Sequence, residues 1–455
     1  MDGYYTWMLV SASLVLLMTT PGLALFYGGM SRSTSVLNMM MMSLTALGVV
    51  GIVYVLWGWS MSYASSIPDA AGHTGAQIGM LFANPFSQFG LEGTDAHDYV
   101  FVAFQLTFAV ITAALVSGAL ADRVRLSAWL VFLPIWVTLS YFPLAHMVWG
   151  GGFLSGVENG LAELVFGGGG GAAVAPIDYA GGTVVHINAG VAGLVLAVLV
   201  GKRLGFGREP VKPHNLTLTM IGAGLLWFGW FGFNVGSIVL TGATEQAKVD
   251  QFLTETGLVW VNTTVATCAA MLGWLLVEHL RDGKATSLGA ASGVVAGLVA
   301  VTPACGALSP LGAIVLGAAA GVLCALAVGL KYRFGYDDSL DVVGVHLVGG
   351  LVGTVGVGFL ATSGGLLYGD GLRQLVVQLL VALFAMTWSA VATLLVGLLV
   401  RVLVGWRIDE EAEVDGIDFA EHGETAYDLT ATPTGRLTRN VGVTQLTGAS
   451  RDRNT

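Results

Sequence analysis

Residues 178–194 read Asp178-Tyr-Ala-Gly-Gly-Thr-Val-Val-His-Ile-Asn-Ala-Gly-Val-Ala-Gly-Leu, an acid and a histidine set in an otherwise apolar run. A weaker copy follows at 341–353, Asp341-Val-Val-Gly-Val-His-Leu-Val-Gly-Gly-Leu-Val-Gly. Superposing the two histidines aligns Val185 with Val345, Gly190 with Gly350 and Gly193 with Gly353. Ionisable groups inside a membrane segment are costly and by default mark a functional site. The next question is whether the chain lies in a membrane.

Composition excludes a soluble multidomain protein. Hydrophobic residues make up 55% of the 455 residues, and charged residues only 11%, against about 25% in soluble domains. Glycine is abundant, with 65 copies, as expected where helices pack closely in lipid. The first apolar run has no basic flank, so we expect a retained span rather than a cleaved signal peptide. The composition indicates an all-α, polytopic membrane protein.

A membrane-spanning helix needs about 20 mainly apolar residues, and this rule predicts eleven spans. They are 7–29, 36–61, 99–120, 126–149, 179–201, 215–240, 257–280, 286–303, 309–330, 340–362 and 374–403, of which 286–303 is the shortest.

Lys and Arg positions predict the orientation, because cytoplasmic loops carry the basic residues. With the N-terminus outside, 17 of the 19 basic residues lie inside, and Lys248 and Arg373 are the exceptions. The C-terminus is then cytoplasmic, and we expect a multi-pass protein of the plasma membrane.

The chain divides into three predicted parts. Residues 1–403 form the membrane domain. Residues 404–428 are polar but contain Ile417, Phe419 and Tyr427 as spaced apolar anchors, so we expect this segment to dock on the cytoplasmic face. Residues 429–455 are rich in Thr, Gly and Arg and predict disorder.

The two histidine motifs lie five spans apart, in helices of opposite direction. This arrangement predicts an inverted repeat of spans 1–5 (about 1–201) and 6–10 (about 215–362), with span 11 (374–403) outside it. In such folds the functional site lies near the midplane, at the interface of the repeats.

The depth of the histidines restricts this interpretation. At about 1.5 Å per residue, His186 lies about 12 Å from Asp178, and His346 about 7.5 Å from Asp341. If both acids sat at the surfaces of a ~30 Å core, the imidazoles would miss each other by about 10 Å. We therefore expect Asp178 and Asp341 to lie inside the membrane, hydrogen-bonded to backbone or hydroxyl donors.

These residues resemble the ammonium transporter family (Amt/Mep/Rh), specifically its Amt branch, over about residues 5–428. The matching stretches are the two histidine motifs, Ala145-His-Met-Val-Trp-Gly-Gly-Gly, Gly229-Trp-Phe-Gly-Phe-Asn-Val-Gly-Ser, Val301-Thr-Pro-Ala-Cys-Gly and the tail's His422-Gly-Glu-Thr-Ala-Tyr.

The resemblance implies a homotrimer with one narrow pore in each protomer. It implies an outer recruitment site at Trp149, Phe104 and Ser237, aided by Asp178, and a gate of Phe108 and Phe233. It implies twin pore histidines, His186 and His346, supported by Trp230 and Asp341. The implied substrate is ammonium or ammonia, with methylammonium as an analogue. A trimeric regulatory protein of the PII class is the implied cytoplasmic partner.

Ammonium must be distinguished from K⁺, which has a similar size. A dry aromatic pore blocks both ions, but only ammonium can release a proton and continue as neutral ammonia. We expect recruitment as the cation, deprotonation near the gate and passage of ammonia along the histidines, with or without separate relay of the proton.

Three alternatives remain at this stage. An intramembrane metal hydrolase would need a third ligand, and neither motif has the His-Glu-x-x-His pattern, so we expect no enzyme activity, metal or cofactor. A sensor would bind ammonium without moving it. A Rh-type channel is disfavoured by Trp149 and the His-Gly-Glu tail. Nothing in the sequence indicates nucleic-acid binding.

Overall fold

Helices make up most of the chain in the computed structural model, which describes residues 2–64, 78–167, 170–208 and 212–427. Within these ranges strand-type pairing is limited to isolated bridges such as Val124 with Arg407. In chain order the long helices are α1 (Gly3–Met30), α2 (Val36–Tyr63), α3 (Ala96–Leu120), α4 (Leu126–Val148), α5 (Gly182–Val200), α6 (Leu216–Val235), α7 (Glu245–Asp282), α8 (Ser287–Val301), α9 (Pro310–Phe334), α10 (Val343–Leu360) and α11 (Arg373–Leu403).

Ten of these helices are long and apolar enough to cross a membrane. The remaining one, α8, has only 15 residues and corresponds to 286–303, the shortest predicted span. The all-helical membrane architecture is therefore confirmed, while the count of eleven crossings stays a prediction.

Helix α7 differs most from its predicted bounds, because it begins twelve residues before the expected start at 257. Thr244 caps its first turn by accepting a hydrogen bond from the backbone N–H of Ala247. The added turns are polar, so a hydropathy criterion misses them, although Glu, Gln, Ala and Lys all favour helix. The extension brings Glu255 onto the helix.

Glycines set the closest helix crossings, as expected where helices associate in lipid through small residues. A Cβ at Gly222 of α6 would fall within 3.0 Å of the backbone of Phe26 in α1. Gly317 and Gly321 of α9 meet the backbone of α7 at Ala266 and Ala270 in the same way. Helix α11 packs against α5 and α10. The centre of the bundle is the crossing of α5 and α10.

The segment after α11 folds back onto the bundle. Asp418 accepts hydrogen bonds from the backbone N–H groups of Leu37 (3.0 Å) and Asn38 (2.8 Å), and so caps the start of α2. Ile417 is buried as expected, but Phe419 is 67% exposed, so its prediction as an anchor in this chain was wrong. Acidic caps on helix N-termini hold much of this segment in place. The expected disordered residues 429–455 lie outside the described ranges.

A buried ionic cluster lies between the ends of α3, α5 and α9. Arg203 donates to both carboxylate oxygens of Asp337 (2.9 and 2.8 Å) and to Asp122 (3.0 Å). Arg123 donates to the backbone carbonyl of Asp337. Burial alone would raise the pKa of the Asp337 carboxyl, but the hydrogen bonds and charge of Arg203 keep it below its ordinary value. The cluster joins the loops at the end of the bundle that carries the tail.

Candidate functional site

The two histidines of the repeated motif meet at the centre of the bundle. Their Nδ1 atoms are 3.3 Å apart, and their ring centroids are 5.4 Å apart. Because a hydrogen bond between two Nδ1 atoms needs one donor and one acceptor, the neutral pair holds opposite tautomers. Among the described residues, the buried Nε2 of His186 has no hydrogen-bond partner. This nitrogen can therefore serve a passing molecule.

Both histidines lie on wide helical turns. The turns at Gly182–Ile187 in α5 and Val343–Leu347 in α10 are π-helical, a geometry that often occurs at functional sites. The helices cross closely just after these turns. A Cβ at Gly190 would lie within 3.0 Å of the backbone of Leu347, and one at Gly350 would press on α5. The repeated glycines are what allow the imidazoles to approach.

Asp178 fixes the start of α5. Its carboxylate accepts hydrogen bonds from the backbone N–H groups of Gly181 (2.8 Å), Gly182 (2.6 Å) and Thr183 (2.9 Å) and from the Thr183 hydroxyl. The side chain is half-buried. The donors are therefore those that the sequence led us to expect.

The acid that does the same for α10 is Asp338, which sequence reasoning missed. Its carboxylate accepts from the backbone N–H groups of Val342 (3.0 Å) and Val343 (2.7 Å), and it is 1% exposed. Asp338 precedes His346 by eight residues, as Asp178 precedes His186. Equal spacing from the histidines was the signal that could have identified it.

Asp341 has another role than predicted. It accepts from the ammonium group of Lys331 at 2.7 Å, and its side chain is 24% exposed. The expected backbone or hydroxyl donors are replaced by a charged one, so that prediction was wrong. Measured from Asp338 instead of Asp341, His346 lies about 12 Å along its helix, and the depth mismatch of about 10 Å falls to about 6 Å.

Two phenylalanines close the cavity above the histidines. The rings of Phe108 and Phe233 stack with centroids 4.0 Å apart and planes at 9°, and both are fully buried. The Phe233 centroid lies 6.2 Å from that of His186. Stacked rings at this distance leave no opening between them.

Trp149 and Ser237 lie on the other side of this stack and are partly exposed. The Trp149 indole N–H donates to the backbone carbonyl of Asp178 at 2.9 Å, and its ring meets Phe108 edge-on at 6.1 Å. The Ser237 hydroxyl donates to the carbonyl of Phe233 at 2.8 Å, which leaves its oxygen lone pairs as acceptors.

Phe104 is placed differently from its expected partners. It is fully buried, and its ring packs against Phe108 at 4.8 Å. The structure thus groups Phe104 with the stacked rings, while Trp149 and Ser237 form the accessible surface.

Trp230 forms one wall beside the histidines. Its ring lies over His186 with centroids 5.5 Å apart, and its N–H donates to the Thr302 hydroxyl at 2.8 Å. Thr302 bonds in turn to Asn234 at 3.2 Å. Thr302 and Asn234 were not singled out from the sequence; polar side chains within apolar runs were the available signal.

A narrow cavity of about 10 Å³, roughly the space that one water molecule needs, contains the histidine pair. Its lining is otherwise mostly aliphatic or aromatic: Met18, Leu23, Phe26, Tyr27, Ile111, Leu115, Val185, Leu226, Trp230, Phe233 and Val295. The Tyr27 hydroxyl and the Trp230 N–H are already engaged elsewhere. The imidazoles are therefore the polar groups that this cavity offers. Within the described ranges no three His, Cys, Asp or Glu side chains are grouped as a metal would need.

Comparison with known families identifies the class of this protein. The model of the Ammonium Transporter Family matches residues 6–427, so the chain belongs to that family, as the sequence motifs predicted.

Its relatives agree. An ammonium transporter of Mycobacterium tuberculosis (strain ATCC 25618 / H37Rv) is 50% identical over 94% of this chain and 90% of its own length. One from Aquifex aeolicus is 42% identical over 94% of both chains. The crystal structure of Candida albicans Mep2 superposes with a TM-score of 0.77 at 29% identity, covering 94% of this chain and 93% of that one. The protein is a multi-pass membrane protein of an ammonium transporter family, located in the plasma membrane.

Proposed function

We propose that this chain recruits ammonium at Trp149 and Ser237 and conducts ammonia along His186 and His346. Near the Phe108–Phe233 stack the cation gives up its proton, either to water on the recruitment side or to the histidine pair. The observation that carries this proposal is the histidine pair itself. Its two imidazoles supply hydrogen-bonding groups inside an otherwise apolar cavity behind closed rings.

The cavity suits a neutral molecule. Moving an ammonium-sized ion into a low-dielectric interior costs on the order of 20 kcal/mol before relaxation. The described cavity offers no carboxylate to offset that cost. Ammonia needs only one acceptor and one donor, and the two Nε2 atoms of the neutral pair provide one of each. K⁺ has no proton to release, so the same cavity excludes it.

Recruitment uses the accessible surface before the rings. The indole face of Trp149 attracts a cation through its quadrupole, and the Ser237 oxygen can accept a hydrogen bond from ammonium. Asp178 supports this site indirectly, because its carboxylate is engaged with the start of α5 and its carbonyl holds the indole. Phe104 contributes to this site indirectly, because its ring packs against the ring of Phe108.

The histidines can also relay the removed proton. Opposite tautomers joined through Nδ1 form a chain in which a proton enters at one Nε2 and leaves at the other. Transport would then be electrogenic, with ammonia and the proton crossing by separate routes.

The proposed architecture is eleven crossings with the N-terminus outside and an inverted repeat of about 1–201 and 215–362. The equal spacing from Asp178 and Asp338 to their histidines supports the repeat, as do the matching π-turns. We propose that the protein is a homotrimer; native mass spectrometry of the detergent-extracted protein would contradict this by finding only monomers.

The tail supports a second proposal, a cytoplasmic docking surface for a PII-class protein formed with residues 404–428. Its ordered part lies across the starts of α2 and α4, where a soluble partner could reach it. Co-purification with a PII-class protein tests this, and a tail-deleted chain that binds equally well would refute the role of the tail.

Uptake of labelled methylammonium into proteoliposomes tests the main proposal. We expect saturable uptake that ammonium inhibits and a tenfold excess (about 10:1) of K⁺ does not. Liposomes without protein are the control. Binding without uptake would overturn the transport proposal.

Binding without uptake is the behaviour of a sensor, and one structural similarity supports this alternative. A solved structure described as a Sensor Amt Protein superposes with a TM-score of 0.78 at 25% identity, over 92% of this chain. The uptake experiment separates the two functions, because a sensor would bind methylammonium and leave the vesicle interior empty.

A further inference from the structure

Glu255 lies on the polar extension of α7 and holds two hydrogen bonds at once. Its Oε1 accepts from the hydroxyl of Tyr179 at 2.8 Å, and its Oε2 accepts from the side-chain amide of Gln251 at 3.0 Å. The carboxylate is half-buried. A group placed this way fixes the relative position of both partners.

The first partner leads to Trp149. Tyr179 directly follows Asp178, whose backbone carbonyl accepts the indole N–H of Trp149. Tyr179 is also held from the opposite side, because its backbone N–H donates to Pro303 at 3.1 Å. Its ring lies so close over Gly306 that a Cβ there would not fit. The hydroxyl of this ring donates to Glu255.

The second partner leads to Ser237. Gln251 donates to the backbone carbonyl of Val239 at 3.0 Å and accepts from the N–H of Thr241 at 2.9 Å. These two residues belong to the segment that directly follows Ser237 along the chain. Glu255 therefore joins, through one carboxylate, the segments that carry both accessible residues of the recruitment site.

We propose that Glu255 is a positioning residue for cation recruitment: it holds Tyr179 and Gln251 so that Trp149 and Ser237 face the same incoming cation. The proposal rests on the proposed recruitment at Trp149 and Ser237. A carboxylate suits this position because both of its oxygens accept, one from the Tyr179 hydroxyl and one from the Gln251 amide. Glu255 acts through its neighbours and lies outside the histidine cavity, so it should affect capture of the cation and not passage through the pore.

The test is the kinetics of methylammonium uptake in proteoliposomes by Glu255→Ala, Tyr179→Phe and the double variant. We expect each single variant to raise KM by about fivefold or more, a change of the size that the net loss of one hydrogen bond typically gives. The maximal rate should stay within about twofold of wild type, because the pore is unchanged. The double variant should match Glu255→Ala, since residues acting through one contact are not additive.

Glu245→Ala is the matched control, since Glu245 is an exposed acid on the same helix that pairs only with Lys248 among the described residues. An unchanged KM in Tyr179→Phe and Glu255→Ala would overturn the inference, and so would a loss of maximal rate with KM unchanged. A KM rise of the same size in Glu245→Ala would show a general charge effect and also overturn it. Absence of uptake by the wild-type protein would instead refute the proposed function.

Discussion

His186 and His346 face each other through their Nδ1 atoms in a cavity that is otherwise mostly apolar. Burial in such surroundings disfavours charged imidazolium, so both rings work as neutral groups with a donor and an acceptor each. The ring of Trp230, held by Thr302, lies over His186 and limits its rotation. In the proposed mechanism, the site selects by offering ammonia hydrogen bonds while offering K⁺ no carboxylate.

The buried carboxyl of Asp338 leads to a prediction about how stability depends on pH. Burial raises the pKa of Asp338 to about 6, opposed by the positive charge of Lys331. A carboxyl whose folded pKa exceeds its unfolded value of about 4 stabilises the fold below that value, and this contribution is lost as pH rises through about 6. In Asp338→Asn this dependence should disappear. Relative to Asp338→Asn, wild type should therefore be more stable at pH 4.5 than at pH 7.5, by on the order of 1–2 kcal/mol of unfolding free energy. Melting temperatures of the two proteins, measured at both pH values, show the difference.

Asp98→Asn, which changes an exposed acid, is the control for general charge effects. If the difference in stability between wild type and Asp338→Asn stays constant across this pH range, the pKa of Asp338 is not raised.

At the scale of elements, the crossing of α5 and α10 depends on glycine. Gly190→Ala would place a methyl group within 3.0 Å of the Leu347 backbone, so the helices must separate. We expect a loss of about 1–3 kcal/mol in stability together with loss of uptake, because the histidines would move apart. Thermal unfolding in detergent and uptake measure the two effects.

Gly224→Ala is the matched control, because its Cβ would meet nothing within 4 Å. Equal melting temperatures for Gly190→Ala and Gly224→Ala would contradict the close crossing.

The sequence predicted the helices more accurately than the contacts of individual side chains. Repeated glycines and histidines identified α5 and α10, because their spacing survives in both copies. Asp338 was missed because Asp341 is the acid nearest to His346 in the sequence. The better criterion is the equal spacing from acid to histidine in the two copies of the motif. The early start of α7 was missed because polar helix formers carry no hydropathy signal. The full burial of Phe104 could not be read from its spacing to Phe108, which both a surface site and a packed core satisfy.

At the scale of the whole molecule, the positions of Lys and Arg predict that the N-terminus lies outside. Cysteine labelling can test this orientation. Glu245, the first residue of α7, and Lys284, two residues after its last, are exposed at opposite ends of this helix. We expect Glu245→Cys to react with a membrane-impermeant thiol reagent in intact cells, and Lys284→Cys to react only after the membrane is opened. The wild-type chain is the control for its own cysteines, of which Cys305 and Cys324 are buried. Reaction of Lys284→Cys alone in intact cells would reverse the proposed orientation.

The tail connects the ends of helices from different parts of the chain. Asp418 caps α2, and Glu421 accepts from the first N–H of α4 at 3.1 Å. Since both contacts are made by side chains to helix ends, movement of the tail would free backbone donors of two helices at once. The molecule therefore links its C-terminal segment to the packing of the bundle that holds the histidine cavity.

The central claim is that ammonium enters as a cation and passes the histidines as ammonia. Currents evoked by ammonium and by K⁺ in the same proteoliposomes test it most directly, with wild type and the His186→Ala/His346→Ala double variant side by side. If the pair relays the proton, wild type gives a saturable ammonium current and no K⁺ current, and the double variant loses the proton-coupled ammonium current. A K⁺ current in wild type, or a full ammonium current without K⁺ current in the double variant, would contradict the account.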